Sequence, residues 1–210
     1  MMQKCQDGYY VTFSSLLSLE DYNKEQEAHT KWTRCPVNAL KVNALDKASP
    51  LYVNTSAFAS EVTSDAIEDT TENLGLAMEV DGKNYPIRDT AYKSLLDRAK
   101  ISGNSLAKLE RKVLAKVLNS CYKLYSADAL LLIRDEKVSA VHSGDASDYS
   151  ILPIPELLDA LKTKLDARFP GNNFVTGYAD HYFTSAEWTM PAQKEDLLGA
   201  YAKVLAAQGK

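Results

Sequence analysis

The chain contains 210 residues, of which 45% are hydrophobic and 25% are charged, and its net charge at pH 7 is -4. This composition excludes a collagen-like, low-complexity or wholly disordered chain, and a chain of this length can bury roughly 70% of its unfolded surface without disulfides or metals. Three cysteines without CxxC spacing do not match a secreted disulfide scaffold. Because the sequence shows neither a signal peptide nor an apolar run of membrane-spanning length, we expect a cytoplasmic protein with no membrane partner.

The first region, residues 1–50, is predicted to contain a short strand followed by a helix. The strand is expected at Tyr9–Phe13, and the helix begins after Ser14 or Ser15, whose side chains can cap its first turn. Apolar residues then recur along one face of this helix at Leu16, Leu19 and Tyr22. The run Lys47–Pro50 ends the region, because a residue that precedes proline is disfavoured in the helical conformation.

Residues 51–82 are predicted to be an acidic, Ser/Thr-rich connection. Positions 48–82 contain seven acidic residues and neither lysine nor arginine. One interpretation is a solvated acidic surface, formed by an exposed helix or by a mobile connection. The alternative is an acidic face that docks on, or masks, the basic segment that follows it.

Residues 83–210 are predicted to be an α+β core. One hairpin is expected around Asp81-Gly82-Lys83, since Asp-Gly supplies the positive φ angles of a tight turn, and a second around Arg134-Asp135-Glu136. A helix is expected through Ala99, and after a break at Ser102-Gly103-Asn104 a longer helix follows. Hairpins separated by helices favour an α+β fold in which antiparallel hairpins pack against three or four amphipathic helices.

The carboxyl-terminal part continues the same alternation. A polar loop is expected at 146–150, and Pro153 and Pro155 suit a helix start. That helix is expected to bury Leu157, Leu158, Leu161 and Leu165. One or two strands are predicted within Phe174–Thr189, and a terminal amphipathic helix carries Leu197, Leu198, Tyr201, Val204 and Leu205.

The segment Arg88–Lys116 is the most basic part of the chain. It contains eight basic and three acidic residues, a local charge of +5 in an otherwise acidic protein. Such a segment can contact nucleic acid, because lysine and arginine displace the counterions condensed on phosphates. The candidate nucleic-acid-binding residues are Arg88, Lys93, Arg98, Lys100, Asn104, Lys108, Arg111, Lys112 and Lys116.

Within this segment the spacing A-x3-G-x2-L-x2-L matches the offsets of a helix-turn-helix. Ala99 and Gly103 would permit close helix crossing, while Leu106 and Leu109 would anchor the second helix. The outward candidates are then Asn104, Ser105, Lys108 and Lys112. The alternatives are a basic surface without this motif and a plain helical hairpin.

Catalytic signatures are absent from the sequence. Its nine glycines form neither a GxGxxG nor a GxxxxGK[ST] loop, and no GxSxG elbow or HExxH motif occurs. No catalytic residue, metal site or cofactor is therefore predicted. If the protein is nevertheless an enzyme, its site has to be assembled from distant residues, and the first candidates are His142, His181, Asp145 and Tyr149.

The runs YPIRDTAYKSLLDRAKISGNSLAKL and ALLLIRDEKVSAVHSGDASDYSILPIPELLDAL resemble a phage- and plasmid-associated family of unknown function over about residues 80–165. The matching features are the turn around Ala99, Ile101 and Gly103, the hairpin from Arg134 to Val141, Tyr149, and the helix from Leu157 to Leu161. The loop Gly144–Ser150 departs from the family because it lacks basic residues. The chain also ends at Lys210, where members continue into a second β-rich part, so it is expected to be a short member or an amino-terminal fragment.

The resemblance implies residence on a mobile element and a link to DNA transactions, but it transfers no catalytic residue. Three functions follow as hypotheses. The first is a non-enzymatic protein of a phage, plasmid or integrated element that contacts nucleic acid, DNA or RNA, through 88–116. The second is a module for self-assembly or for a protein partner, which uses the acidic face 54–81 and the basic face 88–116. The third is an enzyme with a site near His142 and His181.

Overall fold

The computed structural model describes residues 10–145 and 150–209, which form two compact units. The central unit is the continuous stretch Ala28–Ile151, and the terminal unit combines the described parts of Met1–Glu27 and Leu152–Lys210. This division differs from the predicted boundaries after residues 50 and 82. A strand near the amino terminus pairs with a strand near the carboxyl terminus, and this pairing brings both ends of the chain into one unit.

The described residues form nine strands and seven α-helices. In chain order these are β1 (Val11–Phe13), α1 (Leu16–Ala28), β2 (Thr30–Pro36), β3 (Lys41–Ala44), α2 (Pro50–Val53), α3 (Ser64–Glu72), β4 (Leu76–Val80), β5 (Lys83–Pro86), α4 (Tyr92–Ala99), α5 (Arg111–Tyr122), β6 (Asp128–Arg134), β7 (Lys137–Ser143), α6 (Ile154–Arg168), β8 (Asn173–Ala179), β9 (Thr184–Thr189) and α7 (Lys194–Ala207). The strands make three antiparallel sheets with the orders β1-β8-β9, β2-β6-β7 and β3-β4-β5. The α+β prediction is confirmed, with seven α-helices in place of three or four.

The central unit contains both hairpins that the turn residues predict. The β4–β5 turn passes through Asp81 and Gly82, which have φ angles of 51° and 76°. The β6–β7 turn passes through Asp135, with a φ of 55°. Positive φ at these positions matches the twist of the flanking strands, so the local turn chemistry accounts for both hairpins.

The two sheets of the central unit are joined where the chain leaves β5. Ile87 forms a parallel bridge with Val138 of β7, and the Arg88 amide donates to the Val138 carbonyl at 2.9 Å. Helix α4 then packs along β7, where the Val141 amide donates to Ser94 Oγ at 2.9 Å. One core cluster consequently includes buried residues of both sheets and of α4 and α5.

The acidic residues 51–82 are part of this core unit and do not form a connection between domains. The segment contains α2, α3 and β4, and Ile67, Leu76 and Met78 are buried in it. Several of its acidic side chains are exposed on the outside, as a solvated acidic surface requires. The prediction of a connection is wrong because overall composition does not reveal that most apolar residues of α3 and β4 face inward.

The terminal unit has a much smaller core. Its sheet β1-β8-β9 is accompanied by α1, α6 and α7, and its buried apolar cluster consists of Phe13, Leu19, Tyr22, Leu158 and Ala179. The predicted start of α1 is confirmed, since the Ser18 amide donates to Ser15 Oγ at 3.2 Å. The predicted burial of α6 is wrong for Leu157 and Leu161, which are both exposed.

We expect Gly144→Ala to destabilise the central unit. A Cβ at this position would lie 2.6 Å from the Ala129 amide nitrogen and closer still to Asp128, so the backbone would have to move at a cost of about 1–3 kcal/mol or more. Urea unfolding measures the loss. Gly199→Ala is the matched control, because a Cβ there meets nothing within 4 Å, and an equal effect of both changes would contradict the steric explanation.

Candidate functional site

Arg88 does not belong to a binding surface, and its prediction as a nucleic-acid contact is wrong. Only 2% of the residue is exposed. Its Nε donates to Ser139 Oγ at 3.1 Å, and its Nη2 lies 3.6 Å from Asp135 Oδ2 and 3.5 Å from the Arg134 carbonyl oxygen. The guanidinium therefore fastens the end of β5 to the β6–β7 hairpin. Its position in the sequence gave no sign of this, because its partners lie 46 to 51 residues away.

The helix-turn-helix interpretation is also wrong. Leu106–Lys108 form a single 3-10 turn, Leu109 is extended with φ of -68° and ψ of 148°, and α5 begins only at Arg111. Asn104 and Lys108 consequently lie in a connection before the helix. Leu106 and Leu109 pack against the core from this connection, which explains why their spacing resembles an anchored helix.

The remaining basic residues are divided among several places. Lys93 on α4, Lys108 before α5 and the α5 residues Lys112 and Lys116 are exposed, as is Asn104. On α5, positions 112 and 116 lie one turn apart, on the side away from the buried Leu114 and Leu118. These residues are accessible, but they do not form the base-reading helix that the spacing predicts.

The acidic segment is neutralised by lysines from outside Arg88–Lys116. These ion pairs join Glu68 and Glu72 to Lys47, Glu79 to Lys41, Asp81 to Lys31 and Asp69 to Lys137. Lys137 is buried, but the pairs of Lys31, Lys41 and Lys47 are largely exposed, and exposed pairs contribute little to stability, typically about 0–1 kcal/mol each. They nonetheless occupy five of the seven acids, which weakens the idea that this face is kept free for the basic segment.

Arg98 and Lys100, two of the predicted basic residues, line one cleft together with Arg34, which the sequence did not single out. A cleft of about 820 Å³ in the central unit, here called the basic cleft, is lined by Arg98, Lys100 and Arg34, together with Asp128 and Asp145. Arg98 lies in the last turn of α4, Lys100 follows the helix with a left-handed backbone, and Arg34 comes from β2. Arg34 lies 64 positions before Arg98, and only the folded sheet brings the two together.

Arg98 is the most constrained cation of the basic cleft. Its Nε atom is buried and has no hydrogen-bond partner among the described residues. Beside it, burial and then the positive charge of Arg98 lower the pKa of His142. The His142 imidazole also packs on the Trp32 ring, with the ring centroids 5.9 Å apart.

A second cleft lies at the start of α5. Its volume is about 830 Å³, and its charged lining residues are Arg111, Lys112, Glu110 and Asp46. Arg111 is engaged in packing here: its side chain lies 3.0 Å from the position that a Cβ of Gly75 would take, and its Nη1 donates to the Ala107 carbonyl at 3.3 Å. Four of the predicted cations thus line two clefts, Arg98 and Lys100 in one and Arg111 and Lys112 in the other.

The proposed histidine site gains no support. His142 belongs to the central unit and His181 to the terminal unit, and neither lines either cleft described above. Asp145 lines the basic cleft, whereas Tyr149 and most of the predicted 146–150 loop lie outside the described residues. Among residues 10–145 and 150–209, no cluster of three or more histidine, cysteine or acidic side chains could hold a metal ion.

The terminal unit carries an unusual amount of exposed apolar surface. Of eighteen exposed large apolar side chains among the described residues, all but four belong to this unit. Helix α7 has no buried residue, and Leu197, Leu198, Tyr201 and Val204 are each 53–62% exposed. Contiguous exposed apolar surface marks interaction sites in soluble proteins, so α7 is a second candidate functional surface.

None of the helices in the described part of the chain combines the length and the apolarity needed to cross a membrane. No protein family, curated protein or solved structure shows significant similarity to the chain. Its function therefore has to be inferred from the two surfaces described above.

We expect Arg88→Met to cost about 3–5 kcal/mol of stability, because it leaves the Asp135 carboxylate partly buried without its counter-charge. Thermal or urea unfolding checks this value. Lys93→Met, on the exposed face of α4, should change the free energy of unfolding by less than about 0.5 kcal/mol. An Arg88→Met protein as stable as the wild type would contradict the structural role.

We expect the His142 imidazole to titrate below the ordinary histidine pKa of about 6.5, and to shift back towards it in Arg98→Met. Because the folded-state pKa is lowered, this group stabilises the fold fully above about pH 6.5, and the contribution is lost as the pH falls through the folded-state value. NMR titration of the imidazole signals, with His142→Gln for assignment, measures both pKa values. Identical midpoints in wild type and Arg98→Met would show that the Arg98 charge has no influence.

Proposed function

We propose that this protein is a self-associating interaction module, in which α7 of the terminal unit binds α7 of a second copy. The observation that supports this function is the exposed apolar stripe of α7, formed by Leu197, Leu198, Tyr201 and Val204. These residues follow the helical spacing i, i+1, i+4 and i+7, so they lie on one side of the helix. Such a stripe normally packs against another element.

An isolated 14-residue helix is marginal in water, because most helical stability in proteins comes from packing of an apolar face. Within the described residues, α7 packs mainly against the short turn that precedes it. A partner that covers the stripe would therefore stabilise the helix as well as remove apolar surface from water.

The charges along α7 favour a second copy, arranged antiparallel, as this partner. Glu195 and Asp196 outnumber Lys194 in its first turn, and Lys203 lies in its second half, so α7 is acidic at its start and basic later. An antiparallel pair places the acidic end of each helix beside the Lys203 half of the other and opposes the two helix dipoles. A parallel pair would align like charges. A twofold axis also lets one self-complementary stripe serve both copies.

The free energy gained by burying the stripe and the entropy lost on association are of similar size, which predicts a weak dimer. Fully burying a large apolar side chain contributes about 1.5–3 kcal/mol, so the eight half-exposed side chains of a pair contribute roughly 6–12 kcal/mol. Loss of translational and rotational freedom costs about 4–15 kcal/mol. Because these ranges overlap, we expect association to be reversible and dependent on concentration.

The basic segment supports the DNA hypothesis less well. Arg88 is buried, the helix-turn-helix does not form, and Arg111 packs against neighbouring backbone. DNA contact through the whole of Arg88–Lys116 stays a prediction, as does membership of a mobile-element family. The acidic face 54–81 and the basic face 88–116 do not support self-association, which rests on α7 alone.

The double variant Leu198→Glu/Tyr201→Glu tests the proposed function. Both positions are exposed, so the fold should be retained while the two introduced carboxylates in each copy repel the second copy. We expect the wild type to show increasing dimer with concentration in sedimentation velocity, and the variant to remain monomeric.

Leu124→Glu is the matched control, because Leu124 is an exposed leucine of the central unit. It should associate like the wild type. A wild-type protein that stays monomeric at all concentrations, or an equal loss of dimer in Leu124→Glu, would overturn the assignment to α7.

A further inference from the structure

We propose that the basic cleft binds a phosphate group, held by Arg34, Arg98 and Lys100. This site lies in the central unit and does not depend on the self-association of α7. Its ligand chemistry is that of a phosphate ester, present either in a small molecule or in the backbone of a nucleic acid.

The first support is convergence of charge. Arg34, Arg98 and Lys100 come from a strand, a helix end and the residue after it, and they line one cleft of about 820 Å³ in a protein whose net charge is -4. Bringing three cations together is unfavourable unless an anion or nearby carboxylates compensate. Asp128 and Asp145 line the same cleft and compensate two of the three charges, which leaves one positive charge for an anion.

The second support is the state of Arg98. Its buried Nε has no hydrogen-bond partner among the described residues, and buried polar groups in proteins are nearly always hydrogen-bonded. A guanidinium presents its donors in a planar fork that matches two oxygens of a phosphate. If the Arg98 side chain turns towards the cleft, a phosphate oxygen there would supply the acceptor that the described residues do not.

The third support is the fixed wall of the cleft. The Gly144 amide donates to the Asp128 carbonyl at 2.8 Å, and Gly144 has no room for a Cβ there. This close approach holds the end of β7 against the start of β6. This part of the cleft wall is thereby fixed before a ligand arrives, which reduces the cost of binding.

The two carboxylates narrow the ligand class. They repel a bare anion that approaches their side of the cleft, but they can accept hydrogen bonds from hydroxyl or amino groups. We therefore expect a phosphate ester that carries such donors, for example a nucleotide, to bind more tightly than inorganic phosphate. The cleft at the start of α5 is a weaker candidate, because Arg111 is already engaged in packing.

The experiment measures binding of three probes to the full chain at about 50 mM salt, where phosphate contacts are least screened. Inorganic phosphate and adenosine monophosphate are titrated by NMR, with the backbone amide signal of Gly144 in the cleft wall as the reporter, because it is present in every variant. Labelled single- and double-stranded DNA are titrated by fluorescence anisotropy. Saturable binding of the monophosphate would identify a small phosphate ester as the source, and binding of DNA alone would identify the nucleic-acid backbone.

Arg98→Gln and Arg34→Gln should each weaken the binding probe by about tenfold or more, since each removes a charge-assisted hydrogen bond. Lys93→Gln and Lys116→Gln remove exposed cations outside the cleft and should leave the affinity within about twofold, as expected for contacts that are not made. Unfolding midpoints equal to that of the wild type confirm that the cleft variants are folded.

Two results would overturn the proposal. One is failure of every probe to bind at low salt. The other is an equal loss of affinity in the cleft variants and in Lys93→Gln and Lys116→Gln, which would indicate general attraction to a basic surface. The variant Leu198→Glu/Tyr201→Glu should bind phosphate like the wild type, so failure of this site and failure of the α7 dimer are distinguishable.

Discussion

The central unit depends on the attachment of Arg88 to the β6–β7 hairpin. Its amide bonds to Val138, and its buried side chain bonds to Ser139 and faces Asp135, so two sheets become one body at this point. Helix α4 begins four residues later, at Tyr92, so the attachment fixes the point from which this helix starts. The positions of Arg98 and Lys100, at the far end of α4, follow from the same contact. The buried Arg88 contact therefore helps to position the helix that carries Arg98 and Lys100.

The two units differ in how completely they bury their apolar residues. The central unit encloses a core drawn from two sheets and several helices, whereas the terminal unit buries a cluster of only five residues and leaves α7 uncovered among the described residues. This difference divides the proposed functions. A well-packed unit can hold side chains in a preformed cleft for a small charged group, and a unit with an uncovered apolar helix is suited to associate with another molecule.

Predictions that rest on local backbone chemistry are confirmed, whereas one that rests on the spacing of apolar residues is wrong. Asp81-Gly82 and Ser15 act through neighbouring backbone, and the turn and helix start that they predict are both present. The leucines at 106 and 109 have helix-like spacing, yet they reach the core from a 3-10 turn and an extended residue. Spacing alone cannot distinguish these cases, because an apolar residue packs wherever the chain places it near the core.

Residue order and turn chemistry alone were sufficient to indicate an α+β fold, both central hairpins and most helices, since these depend on interactions within a few positions. Which charges are accessible was decided only by the tertiary structure. Arg88 is buried against partners some 50 residues later in the chain, and Arg34 lines the same cleft as Arg98 although 64 positions separate them. Electrostatic and packing partners are chosen by proximity in space, and a linear list of charges contains no information about which distant strands will pair.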